Sequence, residues 1–129
     1  MASGSTQACG FTILRITVGI VFLIHGYQKL FHMGFHGVAG FFGHAGIPLP
    51  LISAVVVTLV EFIGGILLIA GIWTRIAAAL LAVDMAVAIL VVHLRHGFFN
   101  PTGFEFPLTL LAATLCLALS GGGMFSLKK

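Results

Sequence analysis

Charge is scarce in this chain. Of 129 residues only six are Lys or Arg and three are Asp or Glu, so 7% of the chain is charged. An ordinary water-soluble domain carries roughly 25%. Too few charges are present to coat a water-exposed surface, which excludes a soluble globular domain. Cysteine is nearly absent too, with Cys9 and Cys116 far apart and no CxxC pair. That excludes a disulfide framework and a zinc-ribbon type of metal site. The excess of cations is small, a net +3, and apart from Lys128 and Lys129 they are scattered singly. No basic patch suited to a nucleic-acid backbone results. Residues 1–10 carry no basic segment of the kind that opens a secretory leader, so the first apolar helix is expected to act as an uncleaved membrane signal.

What the chain has instead is hydrophobic length. Sixty per cent of its residues are hydrophobic, and the mean hydropathy is +1.20. A transmembrane helix needs about 20 largely apolar residues to cross ~30 Å of hydrocarbon. Four segments meet or approach this, at residues 11–31, 51–73, 75–94 and 104–119. Each is expected to be helical, because lipid offers no partner for free backbone groups. Pro48 and Pro50 separate the first two, and Gly71 to Arg75 leaves only a tight hairpin between the second and third. Asn100, Pro101, Thr102 and Gly103 form a turn signal before the last. The expectation is a single all-α domain, an integral membrane four-helix bundle with antiparallel up-down topology. Residues 32–50 are read as the first loop, with a short interfacial helix over residues 38–45 that dips Phe41 and Phe42 into the lipid.

An even number of spans puts both termini on one side. Arg75, Lys128 and Lys129 fall there, with Arg15 close by, whereas Lys29 and Arg95 fall on the other. This bias favours cytoplasmic termini. All six histidines, His25, His32, His36, His44, His93 and His96, lie toward the opposite, outer face. Tolerant loops and interfaces account for them. So does an outer-face site that handles protons, haem or metal, although the spacings match no standard metal site.

Ionisable groups inside a membrane are costly and point to function by default. Arg15, Gly19, Phe22, Gly26 and Lys29 recur at steps of 4, 3, 4 and 3, which places them on one seam of the first span. His25 borders that seam. Glu61 falls near the middle of the second span, with Gly64 and Gly65 just after it. Asp84 falls near the middle of the third, where Arg15 or Glu61 is a possible partner. At α-helical spacing His93 lies on the opposite side of that helix from Asp84. Glu105 starts the fourth span at the outer end, level with Lys29 and His93. Two readings stay open. The charges form a ladder that carries protons to a buried site, such as one for a quinone, or they form a static network that holds the bundle together.

The residues also resemble the DoxX-like family of small bacterial membrane proteins. The matching stretches are LRITVGIVFLIHGYQKLF (residues 14–31), GFFGHAGIPLP (40–50), VEFIGGILLIAGIWTRIAA (60–78) and GFEFPLTLLAA (103–113). Taken together, His25-Gly26 before Lys29-Leu30, Val60-Glu61 before Gly64-Gly65, Thr74-Arg75 after Gly71, and Glu105-Phe106-Pro107-Leu108 are specific. The resemblance implies a four-helix membrane fold in the bacterial inner membrane. It also implies a link to respiratory and sulfur-oxidation chemistry, through small subunits of quinol oxidases and thiosulfate:quinone oxidoreductases. On that basis His25, Lys29, Glu61 and Glu105 are candidate functional residues, quinone is a candidate ligand, and other membrane subunits or further copies of the chain are candidate partners. The tail departs from the family pattern, since Lys128 stands where an Asp is usual. A purely structural accessory subunit is the competing reading. A transporter is a weaker one, because four spans without an internal repeat are few for that task.

Overall fold

The computed structural model describes residues 4–128. They form an all-α membrane bundle. α1 (Gly4–Tyr27) runs on through a π-helical turn, Gln28–Met33, to α2 (Gly34–Ala45). α3 (Pro50–Ala70) is followed by α4 (Thr74–Val87), which continues through a second π-helical turn, Ala88–His93, and a short 3-10 turn, Leu94–His96. α5 (Glu105–Ser120) ends the helical part. Three of these helical runs, Gly4–Ala45, Pro50–Ala70 and Thr74–His96, are long and apolar enough to cross a membrane. α5 has 16 residues, or about 24 Å at 1.5 Å per residue, which is short for a span.

Many large apolar side chains point outward, and several polar ones are buried beside the apolar core. Ile13, Ile24, Ile52, Ile63, Ile76, Val83 and Leu90 are exposed, while Arg15, Thr58, Glu61 and Thr114 are buried. This is unlike a soluble fold, and it suits lipid as the solvent. α1 packs mainly on α3 and α4 mainly on α5, with α3 and α4 joining the two pairs. The core runs through Val18, Phe22, Leu68, Ala77, Ala78, Leu81, Met85, Leu110 and Leu117.

Residues 32–50 are mostly helical. At Gly34 (φ +73°) the chain leaves the π-helical turn in a conformation that L side chains rarely adopt, and α2 folds back against α3. Val38, Phe42 and Ala54 form a second small core there. Phe42 is therefore buried within the protein instead of dipping into lipid, whereas Phe41 remains exposed. The period of the apolar residues in α2 matches a helix laid on protein as well as one laid on lipid. Arg95 ties this cap down by donating to the Ala45 carbonyl at 3.1 Å.

At the other end, the tail folds over the bundle and is stitched to it by backbone bonds. Trp73 N–H donates to Lys128 O at 2.8 Å, and Lys128 N–H donates to Gly71 O at 3.0 Å. Met124 N–H donates to Thr12 Oγ1 at 2.7 Å. Arg15, only 1% exposed, donates to Ser126 Oγ at 2.9 Å and reaches Phe125 O at 3.5 Å. Arg15 thus serves the tail, not Asp84 or Glu61. Replacing Arg15 with Leu would leave the Ser126 hydroxyl and the Phe125 carbonyl without their donor. The expected cost is about 1–3 kcal/mol, with the last eight or so residues becoming protease-sensitive. Limited proteolysis in detergent, read by mass spectrometry, checks this, and an unchanged cleavage pattern would show that the latch does not depend on Arg15.

Candidate functional site

The polar residues of α1, α3 and α4 meet at a cavity of about 300 Å3 in the half of the bundle away from the tail. Its origin lies in small residues. Gly26 faces the backbone of Phe62, and Gly65 faces that of Leu23 and Gly19. α1 and α3 therefore touch almost backbone to backbone, and Glu61 comes within reach of α1. Lys29 Nζ donates to Glu61 Oε1 at 2.7 Å, an ion pair in which the Glu61 side chain is 4% exposed and that of Lys29 is 21% exposed. Lys29 belongs to the π-helical turn. Such turns turn less per residue than an α-helix and are common at functional sites. Lys29 joins Glu61 inside the bundle, on the seam that it shares with Gly26.

Asp84 neighbours Glu61 across the interface between α3 and α4. Its Oδ2 is buried without a hydrogen-bond partner. Two carboxyl groups thus stand beside one ammonium, and a single proton held between Asp84 and Glu61 would join them by a hydrogen bond.

His25 and His93 line the same cavity. Each has its Nδ1 against a backbone carbonyl, Val21 O at 2.8 Å for His25 and Thr102 O at 2.9 Å for His93. A carbonyl only accepts, so Nδ1 carries a proton, and in the neutral ring Nε2 is then an acceptor. Asp84 and His93 are half a turn out of phase at α spacing, yet they line one cavity. The π-helical turn Ala88–His93 changes the register between them.

The rest of the wall is aromatic or apolar, and includes Phe22, Phe41, Phe42, Met85 and Phe106. The rings of His25 and Phe106 lie 6.1 Å apart, centroid to centroid. None of Phe42, Met85 and Phe106 stands out in the sequence as a site residue, because an apolar residue in an apolar span carries no signal of its own. Asn100, Pro101 and Gly103 complete the rim. Glu105 lies behind this rim, where its carboxylate accepts the Asn100 N–H. It positions the loop and does not line the cavity. His36, His44 and His96 are exposed and stand outside the site. Among the described residues, no group of three or more His, Cys, Asp or Glu is placed to hold a metal ion.

An apolar bundle with a recessed carboxyl–lysine cluster, flanked by half-buried His93 and exposed His25, defines a polytopic helical membrane protein with a small, mostly apolar cavity between its spans. The chain belongs to the DoxX family, whose sequence model matches residues 10–94. It is similar to the Bacillus subtilis protein named "Putative oxidoreductase CatD", with 36% identity over 92% of this chain and 84% of that one. It is also similar to two Escherichia coli proteins, the inner membrane protein YphA at 27% identity over 98% and 93% of the two chains, and the inner membrane protein YqjF at 31% identity over 93% and 90%. No solved structure matches the chain.

Proposed function

We propose that the protein is a small membrane subunit of a quinone-linked oxidoreductase, and that its cavity takes the head group of a quinol. The observation that carries this reading is the unpartnered, buried Oδ2 of Asp84 in an aromatic-walled cavity whose one cation is already held by Glu61. The cavity offers acceptors, namely Asp84 Oδ2 and the Nε2 atoms of His25 and His93. It also holds donors, in the two further N–H bonds of the Lys29 ammonium and in the Asn100 side-chain amide. A hydroquinone supplies two hydroxyl donors on a flat apolar ring, which complements the acceptors. Its oxidation releases two protons and two electrons. The protons pass to Asp84 and the neighbouring histidines, and the electrons pass to a redox cofactor carried by a partner subunit. A volume near the lower end of the usual range for ligand sites, ~300–1000 Å3, admits a ring but leaves an isoprenoid tail in the lipid.

The name of the CatD relative is in keeping with a role in oxidoreduction, and the names of YphA and YqjF are in keeping with the bacterial inner membrane. On this reading both termini lie in the cytoplasm, which the cations Arg75 and Lys128 on that face favour. Other membrane subunits or further copies of the chain cover part of the exposed apolar surface.

The test is direct binding of a short-chain hydroquinone to the purified protein in nanodiscs. Asp84→Asn keeps the shape but turns part of the acceptor into a donor. It is expected to weaken hydroquinone binding about tenfold, equivalent to ~1.4 kcal/mol, while binding of the dimethyl ether of the same ring, already weak, stays unchanged. If wild-type protein binds hydroquinone and its ether equally, the cavity does not read hydroxyl groups. The Lys29–Glu61 pair, which joins α1 to α3, would then favour the accessory-subunit reading, with the charges serving as architecture.

A further inference from the structure

The opposite end of the bundle holds a second recess, of about 500 Å3. It lies between the start of α1, the start of α4 and the glycine run of the tail, with Phe11, Trp73 and Ile76 as apolar walls. Thr74 also lines it. This threonine is only 4% exposed, and its Oγ1 has no hydrogen-bond partner. A buried hydroxyl normally finds a partner, and this one belongs to a residue of the recess wall.

The surroundings indicate the charge of a ligand that would suit it. Thr74 is the first residue of α4, and the first helical bond there is made by Ala77 N–H to Trp73 O. The amides of the first turn, Thr74 to Ile76, thus precede the helical ladder, at the positive end of the helix dipole. Exposed Arg75 lines the same recess. A Cβ built on Gly121 would lie 3.3 Å from its Nε, so the guanidinium rests against the glycine run. Behind Gly122 stands Arg15, whose Nε is buried and also unpartnered. No Asp or Glu reaches this end. Glu61 and Asp84 line the other cavity, and Glu105 opens α5 beside the rim of that cavity.

We infer that this recess binds a phosphate group, with the Thr74 hydroxyl and the α4 amides as donors and Arg75 as the counter-charge. The apolar walls suit the phosphodiester of an anionic phospholipid, whose chains would run down beside Phe11 and Ile76. This site is independent of the quinol cavity, and either can fail without the other.

The experiment uses the full chain in nanodiscs of phosphatidylcholine. Thermal midpoints are measured in that lipid alone, with part of it replaced by phosphatidylglycerol, and with millimolar inorganic phosphate against an equal ionic strength of chloride. Phosphatidylglycerol is expected to raise the midpoint by several degrees. Arg75→Gln, at an exposed position, and Thr74→Val, of equal size, are each expected to remove most of that rise. Lys128→Gln removes a cation of the same face that rests over the Trp73 ring but does not itself line the recess, and it is expected to keep the rise. A rise with inorganic phosphate as well would support the site and identify the phosphate itself as the recognised group. A rise with phosphatidylglycerol alone would identify the lipid. The inference is overturned if neither addition moves the midpoint, if Arg75→Gln responds as wild type does, or if Lys128→Gln loses the rise equally, which would mean general surface attraction.

Discussion

Lys29→Met is expected to destabilise the protein by about 3–5 kcal/mol, the usual cost of removing one partner from a buried ion pair. The reason lies with Glu61. Its side chain is 4% exposed, on a helix face pressed against α1, and Lys29 Nζ at 2.7 Å is its counter-charge. Without Lys29, α3 holds a carboxylate beside the carboxyl group of Asp84, with no cation in the cavity wall. The double variant Lys29→Met/Glu61→Gln removes both charges and is expected to recover most of the loss. A double-mutant cycle of unfolding midpoints in mild detergent separates the pair from its surroundings. Strict additivity of the two single effects would show that the charges act independently, and the pair could not then be what joins α1 to α3 at this level.

Gly65→Val is expected to prevent stable packing of α1 on α3. A Cβ at Gly65 would lie 2.8 Å from Gly19 O and 2.9 Å from Leu23 Cα. These are backbone atoms and cannot rotate aside, so the helices must move apart along the seam. Membrane helices have little hydrophobic force to draw them together and depend on close contact at small residues. Overpacking of a fitted interface costs typically ~1–3 kcal/mol and sometimes more. The ion pair and the cavity lie on the same seam, so separation of α1 from α3 also widens the Lys29–Glu61 contact. Gly40→Ala is the contrast. Nothing stands within 4 Å of a Cβ there, and the position is an exposed one in α2. That change is expected to be neutral, or stabilising by about 0.5–1 kcal/mol through helix propensity. Yield of monodisperse protein and thermal midpoints check both. Equal behaviour of the two variants would mean that α1 and α3 do not approach as closely as Gly65 implies.

Much of the α1–α3 seam was legible from spacing. Arg15, Gly19, Phe22 and Gly26 are all buried, as are Glu61, Gly64 and Gly65 on the facing helix. The 3.6-residue period holds across those stretches, so faces could be assigned. It fails where α4 widens. His93 falls in a π-helical turn, and an α period does not carry it to its place in the cavity. Lys29 also lies in such a turn, but it keeps to the seam shared with Gly26 and meets Glu61 there. The fate of Arg15 was not legible for another reason. Its partners, Ser126 and Phe125, lie 111 and 110 residues away in a tail without periodicity, and a loop's path over a bundle leaves no trace in local pattern. Glu105 was legible as the start of a helix, but its acceptance of the Asn100 N–H depends on how the preceding loop closes.

By itself the sequence determined the class of protein. Long apolar runs with 7% charged residues can be stable only in lipid, and there the backbone must be helical. It also determined which few residues would be costly to bury. Only the tertiary structure decided which of them meet. Pairing between helices depends on their approach and rotation, and those are set by the glycines at the seam and by the widened turn that continues α4. One outcome is a pair of carboxyl groups beside a single lysine beneath a short capping helix. The other is an arginine of the same seam turned to the opposite end, where it holds the tail.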